Sequence, residues 1–159
     1  MDHHTFIRQL RWMQSRINHR RNLLTALLGA EFLDSPLSHE AESIVNRLEL
    51  TELFTLTTRV SGNRRLPPNF HHRYDELIQN LDRNLIAATR QMLLQRGSMN
   101  EAAVSYGDLH SGLTCRICNQ VFEEGEVAGA LACSHRFHQL CMAERYIVSP
   151  RCPTCDRQI

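Results

Sequence analysis

The chain has 159 residues, enough for one domain or two small ones, and its net charge of +1 argues against a protein that holds polyanions by bulk charge. Aromatic residues make up only 6% of the chain, so a core must be mainly aliphatic. All 18 basic residues are arginine, and the chain is lysine-free. This bias has two interpretations, codon usage or the avoidance of lysine chemistry, and composition alone leaves both open.

No targeting or membrane segment is predicted. The longest nearly apolar run, residues 23–30, is far shorter than the roughly 18–20 residues of a membrane span. The first residues, Met-Asp-His-His, lack the basic-then-apolar pattern of a secretory signal. We therefore expect a soluble intracellular protein, cytoplasmic or nuclear or both. Thiols stay reduced in these compartments, so the six cysteines indicate metal binding rather than disulfides.

The first predicted helix starts near Phe6 and has apolar residues at steps of three and four, which is the periodicity of one helical face. The stripe consists of Phe6, Leu10, Met13, Ile17, Leu24, Leu27 and Leu28. Either Gly29 or the Ser35-Pro36 pair ends this helix. Residues 5–30 carry five arginines and no acidic residue, and we expect them to pair with acidic helices or face solvent. Nucleic-acid binding is not expected.

The second predicted helix begins at Ser35 or Ser38, both good N-caps, with Pro36 in the first turn. Its predicted apolar stripe consists of Ala41, Ile44 and/or Val45, Leu48, Leu53 and Leu56. The Ser-Gly-Asn stretch at 61–63 stops the helix, and the two prolines at 67–68 prevent its continuation.

The third predicted helix is the most regular and extends over about 25 residues before Gly97 ends it. Its apolar seam consists of Phe70, Tyr74, Leu77 or Ile78, Leu81, Leu85, Ala88 and Met92. The seam indicates an amphipathic helix more strongly than a coiled coil, because fewer than four clean heptads are present. The sequence thus predicts a mainly α domain over 1–96, either a three-helix bundle or a helical hairpin that completes its core by dimerising.

The cysteines all lie within the last 45 residues, and this change of composition marks a domain boundary. We predict a linker over 97–112 and a small zinc-stabilised domain over 113–159. The candidate ligands read Cys115-x2-Cys118, Cys133-x-His135-x2-His138-x2-Cys141 and Cys152-x2-Cys155. Zinc prefers four tetrahedral sulfur or nitrogen ligands, so these eight residues fill two closed sites. The segment is too short to fold on an apolar core, so zinc binding supplies folding free energy.

This spacing closely resembles the RING finger, in the subclass with histidines at the fourth and fifth ligand positions. Ile117 between the first two ligands, Phe137 between the histidines and Pro153 after the seventh ligand are also similar to the family. The resemblance implies a cross-brace with a short β-hairpin and one helix. Site one would hold Cys115, Cys118, His138 and Cys141, and site two would hold Cys133, His135, Cys152 and Cys155.

Closed tetrahedral sites leave no position for a metal-bound water, and ligation of every cysteine leaves no thiolate nucleophile. Both zinc ions are therefore expected to be structural, and no residue is assigned as catalytic. The resemblance implies a RING-type ubiquitin ligase without a covalent intermediate. It would bind a ubiquitin-conjugating enzyme charged with ubiquitin and promote direct transfer to a protein substrate. The N-terminal helices would recruit that substrate or form a homodimer.

In the RING family the conjugating enzyme docks on a shallow apolar groove. The matching positions here are Ile117, Tyr146 or Ile147, and Pro153. Two departures from the family favour an alternative function. Arg145 stands where the family often has Trp, and Asp156 follows the last ligand, where active members often have Arg or Lys and where Arg157 is the nearest substitute. The alternative is a catalytically weak or inactive zinc-binding scaffold, a non-enzymatic adaptor that pairs with another RING protein or with another partner.

Overall fold

The computed structural model describes residues 1–58 and 64–159, which divide into two compact units, Met1–Leu85 and Ile86–Ile159. In chain order the elements are α1 (His3–Leu28), α2 (Ala30–Leu33), α3 (Pro36–Thr57), α4 (Pro68–Gln95), β1 (Met99–Ala103), α5 (Tyr106–His110), β2 (Val127–Leu131), β3 (Arg136–Phe137) and α6 (Gln139–Val148). Long N-terminal helices, followed by a small antiparallel sheet and the short helices α5 and α6, confirm the predicted fold class of a mainly α part and a small C-terminal domain. None of the helices in the described ranges has the length and apolarity that a membrane span needs.

The ends of the first helices follow local capping chemistry. Asp2 caps α1 by accepting a hydrogen bond from the Thr5 N–H at 2.9 Å. Of the two predicted stops, Gly29 ends α1, with a φ of +58° that glycine adopts without a Cβ penalty. Ser35 caps α3 by accepting from the Ser38 N–H at 3.2 Å, and Pro36 is the first helical residue, as predicted.

The buried face of α3 differs from the predicted one in its second half. Ala41, Ile44, Val45 and Leu48 are buried as expected. The prediction is wrong for Leu53 and Leu56, which are 59% and 52% exposed, while Thr55 is buried. The five-residue step from Leu48 to Leu53 turns the side chain by about 140° around the axis, whereas the seven-residue step to Thr55 returns it to the core side. The predicted stop at 61–63 lies outside the described residues.

Charged pairs join α1 to the other helices of the first unit. Arg11 donates to Glu52 on α3, and Arg20 donates to Asp82 on α4 at 2.7 Å. Arg11, together with the Gln14 amide, lowers the pKa of Glu52 below its usual value. These contacts support the interpretation that arginines of α1 pair with neighbouring acidic helices.

The second unit includes residues that the sequence analysis assigned to a linker. Where a linker is predicted over 97–112, the structure has β1 and α5, and the division between units falls at Leu85 and Ile86. β1 pairs antiparallel with β2, Met99 opposite Leu131 and Ala103 opposite Val127. The sequence of β1, Met-Asn-Glu-Ala-Ala, has weak strand propensity, so its strand is stabilised by a partner distant in sequence.

The core of the second unit extends N-terminally beyond the cysteine-rich segment. Leu93, Met99 and Val104 are buried in one apolar cluster with residues of the zinc-ligand segment. Gly129 on β2 permits this packing, because a Cβ there would overlap the sulfur of Met99. The sequence from 93 onward therefore supports the geometry of the candidate metal sites.

One ion pair joins α5 to the sheet. The Arg136 guanidinium donates two hydrogen bonds of 3.0 Å to the Asp108 carboxylate, a bidentate arrangement. Asp108 also forms a capping box with Ser105 at the start of α5. The hydrogen bonds from Arg136, and then those from Ser105, hold the pKa of Asp108 far below its usual value. Arg136 lies between two candidate ligands in sequence, so the pair ties α5 to the zinc-ligand segment.

Candidate metal centre

Two Cys-x2-Cys turns have the same backbone geometry. In the first, the Asn119 N–H donates to the Cys115 carbonyl at 2.7 Å, and in the second the Asp156 N–H donates to the Cys152 carbonyl at 2.8 Å. Asn119 and Asp156 both have a left-handed φ, 60° and 59°, a conformation that Asn and Asp tolerate better than most residues. The backbone therefore gives a local reason for Asp156 at the position after the last cysteine.

The first group of candidate ligands combines the first turn with the start of α6. The ligand atoms of Cys115, Cys118, His138 and Cys141 all lie within 4.8 Å of one another. Cys118 Sγ is 3.3 Å from His138 Nδ1. Zinc bonds of about 2.3 Å to sulfur and about 2.0–2.1 Å to nitrogen place neighbouring ligand atoms of a tetrahedron about 3.5 Å apart. The observed spacing fits such a site.

The second group combines the turn between β2 and β3 with the C-terminal turn. Cys133, His135, Cys152 and Cys155 also have their ligand atoms within 4.8 Å of one another. His135 Nδ1 is 3.2 Å from Cys133 Sγ and 3.5 Å from Cys152 Sγ. The structure thus brings together the same two quartets that the resemblance implies, and their members alternate along the chain in a cross-brace.

The thiols of the first quartet differ in their acidity. Burial raises the pKa of the Cys115 thiol, but N–H groups of Cys118, His138 and Ile117 directed at the sulfur lower it overall to about 7. The pKa of the Cys141 thiol rises to about 12, first through burial and then through the charge of Cys115. Several thiolates cannot coexist here without a counter-charge, which a divalent cation supplies.

The donor set and its spacing fit two structural zinc ions, which confirms the predicted cofactor. Each quartet offers three cysteine sulfurs and one imidazole nitrogen. Such a set fills the four positions that zinc prefers in structural sites. When bound, zinc holds the loops together, and the free energy of zinc binding contributes to the free energy of folding.

Residues that the sequence analysis placed in a partner-binding groove lie around the metal sites. Ile117 and Tyr146 are half-buried and pack against the core of the second unit. Ile147 is half-buried on α6, whereas Pro153 and Arg157 are exposed. Their role in binding a partner stays a prediction.

The two departures from the family pattern are both at the surface. Arg145 is exposed on α6. The exposed Asp156 carboxylate lies 3.5 Å from the guanidinium of Arg151, which also donates to the Asp156 carbonyl at 3.3 Å. The spacing of Arg151 and Asp156 in the sequence does not indicate this contact, because only the turn brings the two side chains together.

His138 has neighbours that the sequence did not reveal. Its ring centroid lies 4.4 Å from that of Phe122, and its Nε2 lies 3.5 Å from a carboxylate oxygen of Glu126. The other Glu126 oxygen accepts the Glu123 N–H at 2.8 Å, which holds the carboxylate in place. Carboxylates beside the second ring nitrogen orient zinc-ligating histidines and set their tautomer. Because Nδ1 faces the first quartet, Glu126 is in position to do this for His138.

We expect E126Q to release zinc from the first site faster than the unmodified chain, by about tenfold, the lower end of the range for such outer contacts. The rate of zinc transfer to a chromophoric chelator measures this. E124Q changes an exposed glutamate of the same loop and is the matched control. Equal release rates for the two variants would show that Glu126 does not orient His138.

Comparison with known proteins identifies the cysteine-rich segment. The family model of the Ring finger domain matches residues 113–156. The E3 ubiquitin-protein ligase arkadia of Xenopus tropicalis is 44% identical over 41 residues, 26% of this chain and 4% of that protein. An uncharacterized RING finger protein of Schizosaccharomyces pombe is 42% identical over 50 residues, 30% of this chain and 13% of that protein. No solved structure gives a significant match.

The E3 ubiquitin-protein ligase RNF181 of Xenopus laevis is 31% identical over 62 residues, 39% of this chain and 40% of that protein. The chain therefore spans well under two thirds of each of these relatives. Together with the two interleaved quartets, the match shows that residues 113–156 are a RING finger domain of the two-histidine type.

Proposed function

We propose that this chain is a RING-type ubiquitin ligase, which binds a ubiquitin-charged conjugating enzyme and promotes direct transfer of ubiquitin to a protein substrate. The RING finger domain with both Cys/His quartets in place carries the proposal. We assign all eight residues of the quartets as zinc ligands. Every cysteine of the chain belongs to a quartet, so none is left to form a thioester with ubiquitin. The contribution of the domain is then to position the reacting groups.

The similarity to proteins named as ubiquitin ligases supports this proposal. Arkadia and RNF181 are both named E3 ubiquitin-protein ligases, and the matched segments of 41 and 62 residues are short, in keeping with similarity in the RING region. We propose that Ile117, Tyr146 or Ile147, and Pro153 form the surface for the conjugating enzyme, with Arg157 at its edge. The half-buried packing of Ile117 and Tyr146 supports this, because it holds both side chains in place while leaving part of each accessible.

For the N-terminal helices we propose substrate recruitment or homodimerisation. The second half of α3 exposes the large apolar side chains Leu50, Leu53 and Phe54 on the side of the helix opposite its core face. Exposed apolar side chains grouped in this way are typical of protein-binding surfaces. This observation supports a partner for the first unit without specifying which partner it is.

The test is a single-turnover assay in which conjugating enzymes are charged with ubiquitin and mixed with the full chain and free lysine. We expect at least one enzyme of a broad panel to lose its ubiquitin faster with the chain present. A zinc-stripped sample is the negative control, because the domain loses its fold without metal. If no enzyme of the panel discharges faster, the ligase function is contradicted.

The second candidate is a scaffold that binds a partner without promoting transfer. Arg145 in place of a bulky apolar residue and the carboxylate of Asp156 after the last ligand favour it. Binding of a charged conjugating enzyme without faster discharge would identify this function. Faster discharge would exclude it.

A further inference from the structure

The arginines of this lysine-free chain fall into two groups by their contacts. Some use the planar geometry of the guanidinium, which a lysine ammonium cannot reproduce. Arg136 binds Asp108 through two parallel hydrogen bonds, and the guanidinium carbon of Arg16 lies over the Trp12 ring, 4.6 Å from its centroid. At such positions the contacts of the guanidinium explain why the residue is arginine and not lysine.

Other arginines have no such reason. Within residues 1–58 and 64–159, the exposed guanidinium groups of Arg8 and Arg73 make no hydrogen bond, ion pair or ring contact. Arg96 is also exposed and reaches only the sulfur of Met92, at 3.8 Å. A solvated positive charge is all that the fold requires there, and lysine supplies it equally well. The lack of lysine across the chain is therefore not a consequence of its packing.

Because the chain has no lysine, it has no ε-amine that could react in ubiquitin transfer. The lone pair of a lysine ε-amine attacks the carbonyl carbon of the ubiquitin thioester on the conjugating enzyme. A C–N bond forms, the C–S bond breaks, the cysteine of the enzyme leaves as a thiolate, and the proton lost by the amine passes through water to that sulfur. A guanidinium remains protonated at neutral pH and cannot act as this nucleophile.

We propose that this chain does not serve as an acceptor in its own reaction, so that the ubiquitin transfer it promotes is directed to lysines of other polypeptides. This inference rests on the proposed ligase function and adds a regulatory property to it. Repeated turnover beside the RING finger domain then leaves the chain unmodified on its side chains, whereas a ligase with exposed lysines near the thioester is itself a nearby acceptor.

The experiment compares three chains of residues 1–159: the unmodified sequence, R8K/R73K/R96K, and R8Q/R73Q/R96Q. The glutamine variant is the matched control, since it changes the same exposed positions without adding an amine. Each chain is mixed with a conjugating enzyme charged with lysine-free ubiquitin, so that ubiquitin chains cannot form. Discharge to free lysine is measured in parallel with the formation of a species heavier by one ubiquitin.

We expect all three chains to accelerate discharge to free lysine equally, and only the lysine variant to gain the heavier species. If the unmodified chain forms as much conjugate as the lysine variant, at whatever residue, the inference is overturned while the ligase function stays intact. Lack of conjugate on the lysine variant would overturn it as well. If none of the chains accelerates discharge to free lysine, the ligase function itself fails, and the inference fails with it.

Discussion

Replacement of Cys115 by alanine is expected to unfold the second unit of the protein while most of the helical signal of the first unit remains. Structural zinc sites contribute apparent free energies of about 10–16 kcal/mol at pH 7, which is comparable to or larger than the whole stability of a typical domain. C115A leaves the first quartet with three candidate ligands and so removes a large part of this free energy, which is why residues 86–159 are expected to unfold. Zinc content by mass spectrometry, circular dichroism at 222 nm and limited proteolysis measure the outcome.

The matched control for C115A is T154A, which changes an exposed residue inside the second Cys-x2-Cys turn and leaves all eight candidate ligands in place. We expect T154A to keep two zinc ions and native protease resistance. H138A should behave like C115A, since it removes another member of the same quartet. Loss of the entire helical signal of C115A in one transition would contradict two units that fold separately.

Replacement of Ile117 by alanine is expected to abolish most of the acceleration of ubiquitin discharge while both zinc ions stay bound. Ile117 lies between two candidate ligands and is half-buried against the core of the second unit, so its side chain is held rigidly at the proposed docking surface. Truncation of such an anchor costs about 2 kcal/mol of binding, or roughly 30-fold in affinity. Titration of a responsive conjugating enzyme and the discharge rate measure the two effects.

V127A is the matched control for I117A, because Val127 is an exposed apolar residue of β2 outside the proposed surface. It should keep full affinity and full discharge activity. Zinc content of both variants shows whether the metal sites are intact. An I117A chain with two zinc ions and undiminished discharge would place the docking surface elsewhere.

The local features of the fold were predictable because their causes are local. The apolar periodicity around Leu10 and Leu81 depends only on residues three and four positions apart in the sequence. Ser35 and Pro36 mark the start of α3 by local capping chemistry. The error at Leu53 and Leu56 arose at the end of α3, where apolar residues occur on more than one face of the helix. Sequence periodicity does not tell which apolar face packs against neighbours.

The strand β1 was missed for the opposite reason. Its pairing with β2 and the packing of Met99 over Gly129 depend on residues about 30 positions apart, and nothing in the short β1 sequence marks a strand. The contact of Glu126 with His138 and that of Arg151 with Asp156 likewise arise only from the folded turns. These neighbours affect the candidate sites, yet their sequence spacing has no regular pattern.

The sequence by itself determined that this protein has a helical first part and a two-zinc RING finger, because helix periodicity and Cys/His spacing are properties of short segments whose chemistry is the same wherever they occur. Only the tertiary structure decided where the zinc-binding unit begins, which face of α3 remains exposed, and which carboxylate lies beside His138. Those features depend on which distant segments pack together, and burial and pairing across such distances are set by the whole fold rather than by neighbouring residues.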